Sequence, residues 1–261
     1  MKKKTDSYKD FGKQFKLYNN FKGNFGKKKT IEYYIKPFDL KKIRNKTILD
    51  IGAGAGRITK NLLRFKPRKI YSLEPSEAIE VAKKNIKNKK VFFLNFKGEK
   101  LKYKNKFDYI FSIGVLHHTP NIKIILKKAL NSLKSNGEFV FWLYGYENIK
   151  SYVLLINLLR KITINMPDKL LIFLSIILNF FSYFYFVLCF FFNMPLKNYF
   201  TKLFNNFSFS KRNLIIFDQL NPVYAKYYSY KDILKLTKNL KIKNLRIINK
   251  DNYSWTVIIK K

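Results

Sequence analysis

Between Lys46 and Tyr146 the chain alternates short apolar runs with amphipathic stretches, and the two kinds follow one another closely. Such alternation is typical of strand–helix–strand units, in which a crossover helix connects two parallel strands. The predicted fold class is therefore α/β with a parallel sheet. The five runs interpreted as strands are KTILDIGA, KIYSLEP, KVFFLNF, FDYIFSIGV and GEFVFWLY.

The amphipathic stretches between these runs carry apolar residues at helical spacing. Pro75 and Ser76 are expected to open the second helix, and Asn136-Gly137 to close the third in the manner of a C-cap. After residue 228, Ser229 and Asp232 form a predicted capping box. The tail then predicts two strands joined at Lys250-Asp251-Asn252 as a hairpin, which gives about seven strands with an antiparallel last one. The predicted helices are GRITKNLLRF, SEAIEVAKKNIKN, NIKIILKKALNSLKSNG and SYKDILKLTKNL.

The net charge of +37 over 261 residues raises the question of an anionic partner. Only seven of the 53 basic residues are arginine. Because nucleic-acid readers depend on arginine forks, nucleic acid is an unlikely partner. The abundance of lysine is what an AT-rich coding bias would produce, and attraction to anionic lipid is favoured only by the insertion described below. A single cysteine, Cys189, permits no internal disulfide and no cysteine-based zinc site, and no metal site is expected. The basic start lacks the apolar core of a secretory signal, so a cytoplasmic location is expected. This expectation includes association with the cytoplasmic face of the membrane.

A glycine-rich turn follows the first strand. It reads D-x-G-x-G-x-G, with Asp50, Gly52, Gly54 and Gly56. A dinucleotide-binding turn would need glycine where Arg57 stands, and the P-loop pattern is absent from the sequence. The carboxylate beside the turn disfavours phosphate and favours a ligand with an amino group or a positive charge.

A second acid, Glu74, ends the next strand about twenty residues later, where a carboxylate can accept both hydroxyls of a ribose. A ribose joined to a cationic amino-acid tail describes S-adenosylmethionine. Here the sequence resembles the class I S-adenosylmethionine-dependent methyltransferases. The strings FDYIFSIGVLHHTPN and LKSNGEFVFWLYG extend the resemblance to the subgroup that includes the ubiquinone and menaquinone enzymes (methyltransferase type 11), over about residues 45–146.

This resemblance implies a Rossmann-like doubly wound sheet and S-adenosylmethionine as the cofactor. Asp50 and Glu74 would contact the methionine part and the ribose. The family usually has an acid for the adenine amino group where this chain has Lys97, so Gly98 and Glu99 are expected to compensate. The cofactor-binding residues implied are Asp50, Gly52, Ala53, Gly54, Gly56, Glu74, Pro75, Gly98, Glu99, Ser112 and Ile113.

The pair His117-His118 follows the fourth strand, at the edge of the sheet where open α/β folds bind ligands. An ordinary histidine pKa near 6.5 suits removal of a proton from the methyl acceptor, so these two residues are the catalytic candidates. A structural pair with satisfied hydrogen bonds is the alternative.

Residues 147–228 break the alternation and form an apolar insertion between strands five and six. Its segment 170–192 has no charged residue and is long enough to span a bilayer. A single span would separate strands that must share one sheet, so two interpretations remain: a helical cap over the substrate, or a monotopic contact with an anionic membrane through residues 151–196. Nearby lysines and the aromatic residues favour the second.

Four segments are expected: an N-terminal lid (1–45), a cofactor-binding core (46–146), the insertion (147–228), and a C-terminal helix with two strands (229–261). The acceptor would be a small or lipid-linked molecule, and the methylated atom is open. The segment FSFSKRNLIIFDQLNPVYAKYYS and the terminal NYSW resemble, more weakly, a subset of methyltransferases of cell-surface glycan assembly. The alternatives are an RNA methyltransferase and an inactive membrane-associated binding protein of the same fold. Candidate acceptor contacts are Tyr144, Asp218 and Tyr224.

Overall fold

A computed structural model describes residues 7–17, 28–147 and 149–261. Its centre is a seven-stranded sheet in the order β3-β2-β1-β4-β5-β7-β6. The first five strands are parallel, and β7 runs antiparallel to both β5 and β6. The predicted doubly wound sheet with an antiparallel last strand is thereby confirmed. The strands are β1 (Thr47–Ile51), β2 (Lys69–Leu73), β3 (Val91–Leu94), β4 (Phe107–Ile113), β5 (Leu133–Tyr144), β6 (Asn244–Lys250) and β7 (Ser254–Lys260).

Helices cover both faces of the sheet, and a group of them forms the insertion. In the described part of the chain the insertion comprises α6 to α9 and lies between β5 and β6, as predicted. The α-helices are α1 (Ser7–Leu17), α2 (Lys28–Ile35), α3 (Arg57–Leu63), α4 (Ala78–Asn85), α5 (Ile122–Ser132), α6 (Lys150–Thr163), α7 (Asp168–Phe191), α8 (Lys197–Lys202), α9 (Phe209–Leu220) and α10 (Tyr230–Thr237).

The central strands are apolar on both faces because helices cover both. Every residue of β1 is buried. Ile48 packs into a core layer with α2 and α3, whereas its neighbour Leu49 packs into the opposite layer with α5 and α10. Adjacent strand residues point to opposite faces, so a continuous apolar run is what a doubly covered strand requires.

The predicted C-cap at Asn136-Gly137 is wrong. Helix α5 ends at Ser132, and Leu133 already begins β5, where it is buried opposite Phe107. Asn136 adopts a left-handed φ of 63°. Its amide donates to the carbonyl of Lys261 at 3.1 Å, so the turn belongs to the sheet rather than to the helix.

Both predictions for the C-terminal segment are confirmed. The side chains of Ser229 and Asp232 form the reciprocal capping box at the start of α10. Asp251 and Asn252 adopt left-handed φ values of 49° and 64° in the turn between β6 and β7. These residues tolerate such angles because their short polar side chains bond locally.

The two ends of the insertion meet beside the sheet. Gly145 and Tyr228 form a β-bridge, and the amide of Tyr228 donates to the carbonyl of Tyr144 at 2.9 Å. Within the described residues, α7 alone is long and apolar enough to cross a membrane by length and composition. One crossing would place Gly145 and Tyr228 on opposite sides, so α7 is not a single span.

The N-terminal segment predicted as a lid falls partly on residues 1–6 and 18–27, which lie outside the described residues. Of the described part, α2 packs into the core: Ile31 and Ile35 are buried against the sheet. Helix α1 instead lies over the carboxyl ends of the strands, against α4 and the glycine turn.

Candidate functional site

Two cavities lie at the carboxyl edge of the parallel strands, where open α/β sheets bind ligands. The first, of about 460 Å³, is enclosed by the glycine turn, α1 and the ends of β2 and β4. The second, of about 600 Å³, lies between the sheet and the insertion helices. They are called the cofactor cavity and the substrate chamber below. Both are lined in part by Arg57, Ile113, Gly114, Tyr144 and Asp218, so these residues form the wall between them.

The glycine turn presents bare backbone to the cofactor cavity. Gly52 and Gly54 have φ values of 76° and 54°, which L-residues with side chains rarely adopt. A Cβ at Gly52 would lie 2.3 Å from a methyl carbon of Val115, and one at Gly54 would lie 2.9 Å from the ring of Phe15. The turn is therefore closed to side chains on steric as well as conformational grounds.

The backbone amides of this turn donate hydrogen bonds to acceptors within the protein. Those of Gly52 and Ala53 both donate to the carbonyl of Leu73, at 2.8 and 3.0 Å. That of Gly54 donates to Glu74 Oε2 at 2.8 Å. Because these N–H groups are used internally, the turn differs from a phosphate cradle, whose amides point at the ligand.

Asp50, Gly56 and Ser112 lie behind the cavity wall rather than on it. Asp50 is buried beneath the turn and accepts a hydrogen bond from Thr59 Oγ1 at 2.6 Å; burial raises its pKa to about 6. Gly56 begins α3 against Ile86. The hydroxyl of Ser112 donates to the carbonyl of Ile51 at 3.1 Å and so ties β4 to β1. The three residues support the turn from behind.

Glu74 lies on the cavity wall and joins two loops. Besides the Gly54 amide, its carboxylate accepts from the amide and the hydroxyl of Ser76, at 2.9 and 2.6 Å. Burial raises the pKa of Glu74, while these three hydrogen bonds favour the ionised form. A carboxylate has about four acceptor positions, so roughly one is left for a ligand.

The lining of the cofactor cavity also includes Pro75, Gly98 and Glu99, which the resemblance implied as cofactor-binding residues. Lys97 does not mimic the missing acid. Its ammonium nitrogen lies 4.7 Å from the centre of the Tyr8 ring, in a cation–π contact with α1.

The two histidines have different surroundings. His117 is fully buried, stacks on Tyr144 with ring centroids 3.7 Å apart, and does not line the cofactor cavity. His118 does line it, and its Nδ1 lies 3.0 Å from the carbonyl oxygen of Tyr224. Since a carbonyl can only accept, Nδ1 carries the proton and Nε2 the lone pair. Burial lowers the pKa of His118 to about 3, well below the ordinary value assumed for a base.

The predicted acceptor contacts converge on the cofactor cavity. Tyr144, Asp218 and Tyr224 all line it, and the first two also line the substrate chamber. Asp218 accepts a hydrogen bond from the Gln14 amide of α1. Burial raises the pKa of Asp218 to about 6, while the positive charges of Lys211 and Arg57 partly offset that effect.

Sequence reasoning missed Arg57 and the contribution of α1. In the sequence Arg57 stands out only because a dinucleotide turn needs glycine at its position, yet it lies in the wall between the cavities. In α1, Phe11 and Phe15 line the cofactor cavity. Their spacing of four residues places them on one helix face, which was the available signal. Nothing in that spacing indicates where the helix docks.

Comparisons with known proteins agree on a methyltransferase domain. Residues 49–141 match the family model described as "Methyltransferase domain". A tRNA U34 carboxymethyltransferase of Helicobacter pylori (strain P12) is 30% identical over 105 residues, which are 38% of this chain and 40% of the relative. A ubiquinone biosynthesis O-methyltransferase of Pelagibacter ubique (strain HTCC1062) is 32% identical over 129 residues, 47% of this chain and 53% of the relative. The chain thus spans about half, or less, of the length of these curated relatives.

Solved structures share the fold over nearly the whole chain. An S-adenosylmethionine-dependent methyltransferase from Mesorhizobium loti has a TM-score of 0.51 and 12% identity, covering 84% of this chain and 92% of that one. A candidate enzyme of the same kind from Methanococcus maripaludis has a TM-score of 0.54 and 17% identity, covering 100% of this chain and 97% of that one. At these identities the similarity establishes the fold.

Proposed function

We propose that this chain transfers the methyl group of S-adenosylmethionine to a small or lipid-linked acceptor bound in the substrate chamber. The chain carries a class I S-adenosylmethionine-dependent methyltransferase domain of the type 11 group. The observation that carries the proposal is the wall shared by the two cavities. A methyl group passes in line from donor to acceptor, so the two molecules must meet at one place with water excluded. The two cavities adjoin at the residues they share, so a cofactor in one and an acceptor in the other would lie next to each other there.

The residues of the cofactor cavity fit S-adenosylmethionine. The volume of the cofactor cavity, about 460 Å³, lies in the range of small-molecule sites. The bare turn at Gly52–Gly54 would lie against the methionine part, Glu74 would accept from the ribose, and Gly98 with Glu99 would face the adenine. When bound, the cofactor supplies an electrophilic methyl group on a sulfonium sulfur. The internally bonded amides of the turn suit this cationic ligand better than a phosphate.

The Glu74 carboxylate has too few free acceptor positions to bind both ribose hydroxyls without giving up or sharing one of its present hydrogen bonds. Three of its acceptor positions are used by Gly54 and Ser76. A ribose diol offers two hydroxyl donors, so the second must share an oxygen with the Ser76 hydroxyl or displace it. The Ser76 hydroxyl is the one of the three donors that can be replaced without moving the backbone, because the other two are backbone amides.

Asp218 is the better placed candidate for the general base. Its pKa of about 6 leaves it ionised at neutral pH and close to the operating range of a base. The low pKa of His118 makes that residue a weak base, so its Nε2 is better suited to accept a hydrogen bond that orients the acceptor. If the acceptor is a hydroxyl, Asp218 would take its proton.

The composition of the substrate chamber favours an apolar or aromatic acceptor. Its walls combine aliphatic residues with tyrosines, among them Tyr34, Tyr152 and Tyr227. Such acceptors are concentrated in membranes, and we place the protein at the cytoplasmic face of one. The relative named for ubiquinone biosynthesis supports a small apolar acceptor, whereas the tRNA relative makes RNA the competing one.

The test is a transfer assay with S-adenosylmethionine labelled in its methyl group. Purified full-length protein is incubated separately with membrane lipid extract, total RNA and aqueous metabolites from the same cells. The proposal expects label in the lipid extract. Label in RNA alone would support the RNA methyltransferase instead, and cofactor binding without transfer to any fraction would support the inactive binding protein.

A further inference from the structure

Helix α7 has an inverted distribution of polarity. The residues that face the protein include the polar Ser175, Asn179 and Ser182, all buried. The Asn179 amide donates to the carbonyl of Phe209 at 2.9 Å and so joins α7 to α9. Phenylalanine residues such as Phe184, which is 64% exposed, point outward. A helix on the surface of a protein in water shows the opposite pattern, whereas one that lies in a lipid interface places its apolar side outward.

Exposed residues of α6 extend this surface. The apolar face, as it is called below, comprises the exposed apolar and aromatic residues of these two helices, and large exposed patches of this kind mark interaction sites. Its members are Leu154, Leu155, Leu158, Ile162, Leu170, Phe173, Phe180, Phe181, Tyr183, Phe184, Val187, Phe190 and Phe191.

The substrate chamber opens on this apolar face. Three of its lining residues, Leu155 on α6 and Phe181 and Phe184 on α7, are 57%, 65% and 64% exposed. Residues that both line a cavity and reach the exterior mark its mouth. The mouth therefore lies between α6 and α7, within the apolar face, while the reacting end of the chamber lies at Asp218 and Tyr144.

The lysines around the apolar face and the net charge of the chain indicate what kind of surface covers this face. Segment 170–192 has no charged residue, but Lys161 and Lys169 lie at one end of it and Lys197 at the other. The chain as a whole carries +37. Lysines at the margin of an apolar surface are attracted to the headgroups of anionic lipids. This combination is complementary to an anionic bilayer.

We infer that the apolar face lies in the surface of an anionic bilayer and that the acceptor enters the substrate chamber from the bilayer, through the mouth between α6 and α7. The acceptor is an amphiphile whose polar head reaches Asp218 and whose apolar chain extends back through the mouth into the lipid. The identification of the entering molecule as the acceptor rests on the proposed function; the lipid-facing mouth does not.

Trp142 reports on the chamber independently of catalysis. It lines the chamber, whereas Trp255, the other tryptophan, is buried in the core layer on the opposite face of the sheet. In full-length Trp255→Phe, vesicles of phosphatidylcholine and phosphatidylglycerol with brominated acyl chains should quench the remaining tryptophan, because bromine quenches only at close range. If that variant fails to fold, wild type and Trp142→Phe give the same information by difference.

Two matched pairs of substitutions test the mouth. Leu155→Phe with Leu188→Phe adds bulk at a residue of the mouth and at a half-buried residue of α7 that lines the chamber. Leu154→Phe with Val187→Phe adds bulk at the neighbouring positions of the same helices, which are exposed but do not line the chamber. Both pairs should float with the vesicles as wild type does. Quenching of Trp142 should be lost in the first pair and retained in the second.

Three results would overturn the inference: no flotation with anionic vesicles, flotation without quenching of Trp142, or equal quenching in the two pairs. None of these readouts uses S-adenosylmethionine. Failure of the proposed function, seen as absence of methyl transfer, is therefore distinguishable from failure of the lipid-facing mouth.

Discussion

Asp50 is fully buried and Asp218 half-buried, and desolvation raises the pKa of each to about 6, yet the two acids lie in different places. Asp50 lies beneath the glycine turn, where Thr59 holds it. Asp218 lies in the wall between the two cavities. Desolvation of the carboxylate raises both pKa values, but one acid lies under the turn and the other faces the two cavities.

The role of Asp218 predicts a pH dependence. A base is active when deprotonated, so methyl transfer by the wild type should fall as pH drops below about 6 and reach a plateau above it. Asp218→Asn should lower the plateau rate by about a hundredfold or more and remove this acidic limb. The measurement is the initial rate of labelled-methyl transfer between pH 5 and pH 8.

The control for this prediction is Asp251→Asn, an exposed acid in the β6–β7 turn, which should keep the wild-type profile. Binding of S-adenosylmethionine by Asp218→Asn, followed in parallel, should remain within a few-fold of the wild type. An unchanged acidic limb in Asp218→Asn would remove that residue from the role of base.

At the scale of elements, the strands were predictable and the position of α1 was not. The five parallel strands could be found because burial on both faces requires continuous apolar runs such as TILDI in β1. The break between α5 and β5 was misplaced, because Leu133 suits a helix face and a buried strand equally well. Helix α1 reaches the site through Gln14 and Phe15, contacts that depend on distant residues and leave no local pattern.

The same reasoning explains why the site was predicted only in part. Gly52, Glu74 and Asp218 were identified because motif spacing or insertion position marks them. The sequence does not distinguish the roles of His117 and His118. The two adjacent residues differ in burial only because of how β5 and the insertion pack around them. The position of Arg57 in the wall between the two cavities also depends on tertiary packing, so no local pattern predicts it.

The glycine turn and the end of β4 offer a matched test of backbone and steric demands. Gly52 and Gly114 have similar left-handed φ values of 76° and 79°. A Cβ at Gly52 would overlap Val115 at 2.3 Å, but one at Gly114 would meet nothing within 4 Å. Gly114→Ala should therefore cost about 1–2 kcal/mol of unfolding free energy, the left-handed strain alone. Gly52→Ala should cost about 1–3 kcal/mol more.

Urea unfolding of both variants measures this difference. Adding Val115→Ala to Gly52→Ala should restore part of the loss, because two of the three overlapping atoms are then absent. Equal destabilisation by the two single variants would show that the close approach of Val115 does not constrain the turn.

At the scale of the whole molecule, a strongly basic chain carries an uncharged apolar face on its insertion. The positive charge acts at a distance and is screened by salt, with a Debye length of about 10 Å at 0.1 M ionic strength. The apolar face acts only in contact and is insensitive to such screening. A membrane-bound protein of this construction should therefore respond to salt in two parts.

Vesicle flotation at increasing salt concentration separates the two parts. Binding to vesicles of phosphatidylcholine and phosphatidylglycerol should weaken with salt and then level off above zero. In Phe180→Asp with Phe190→Asp, two outward-facing positions, the residual binding should disappear. Ile124→Asp, an exposed position on α5, is the control and should behave as wild type. Complete release of the wild type by salt would show that charge alone holds the protein.

The central claim is that the cavity beside the glycine turn holds S-adenosylmethionine through Glu74, and calorimetric titration with that cofactor tests it most directly. Saturable binding at one site per chain is predicted for the wild type. Glu74→Gln removes a charged acceptor, worth about 1.5–3 kcal/mol, and should weaken binding by roughly 10- to 150-fold. Glu80→Gln, an exposed acid of α4 paired with Lys83, should bind as wild type does. Absence of binding by the folded wild type, or equal affinity in all three proteins, would contradict the account.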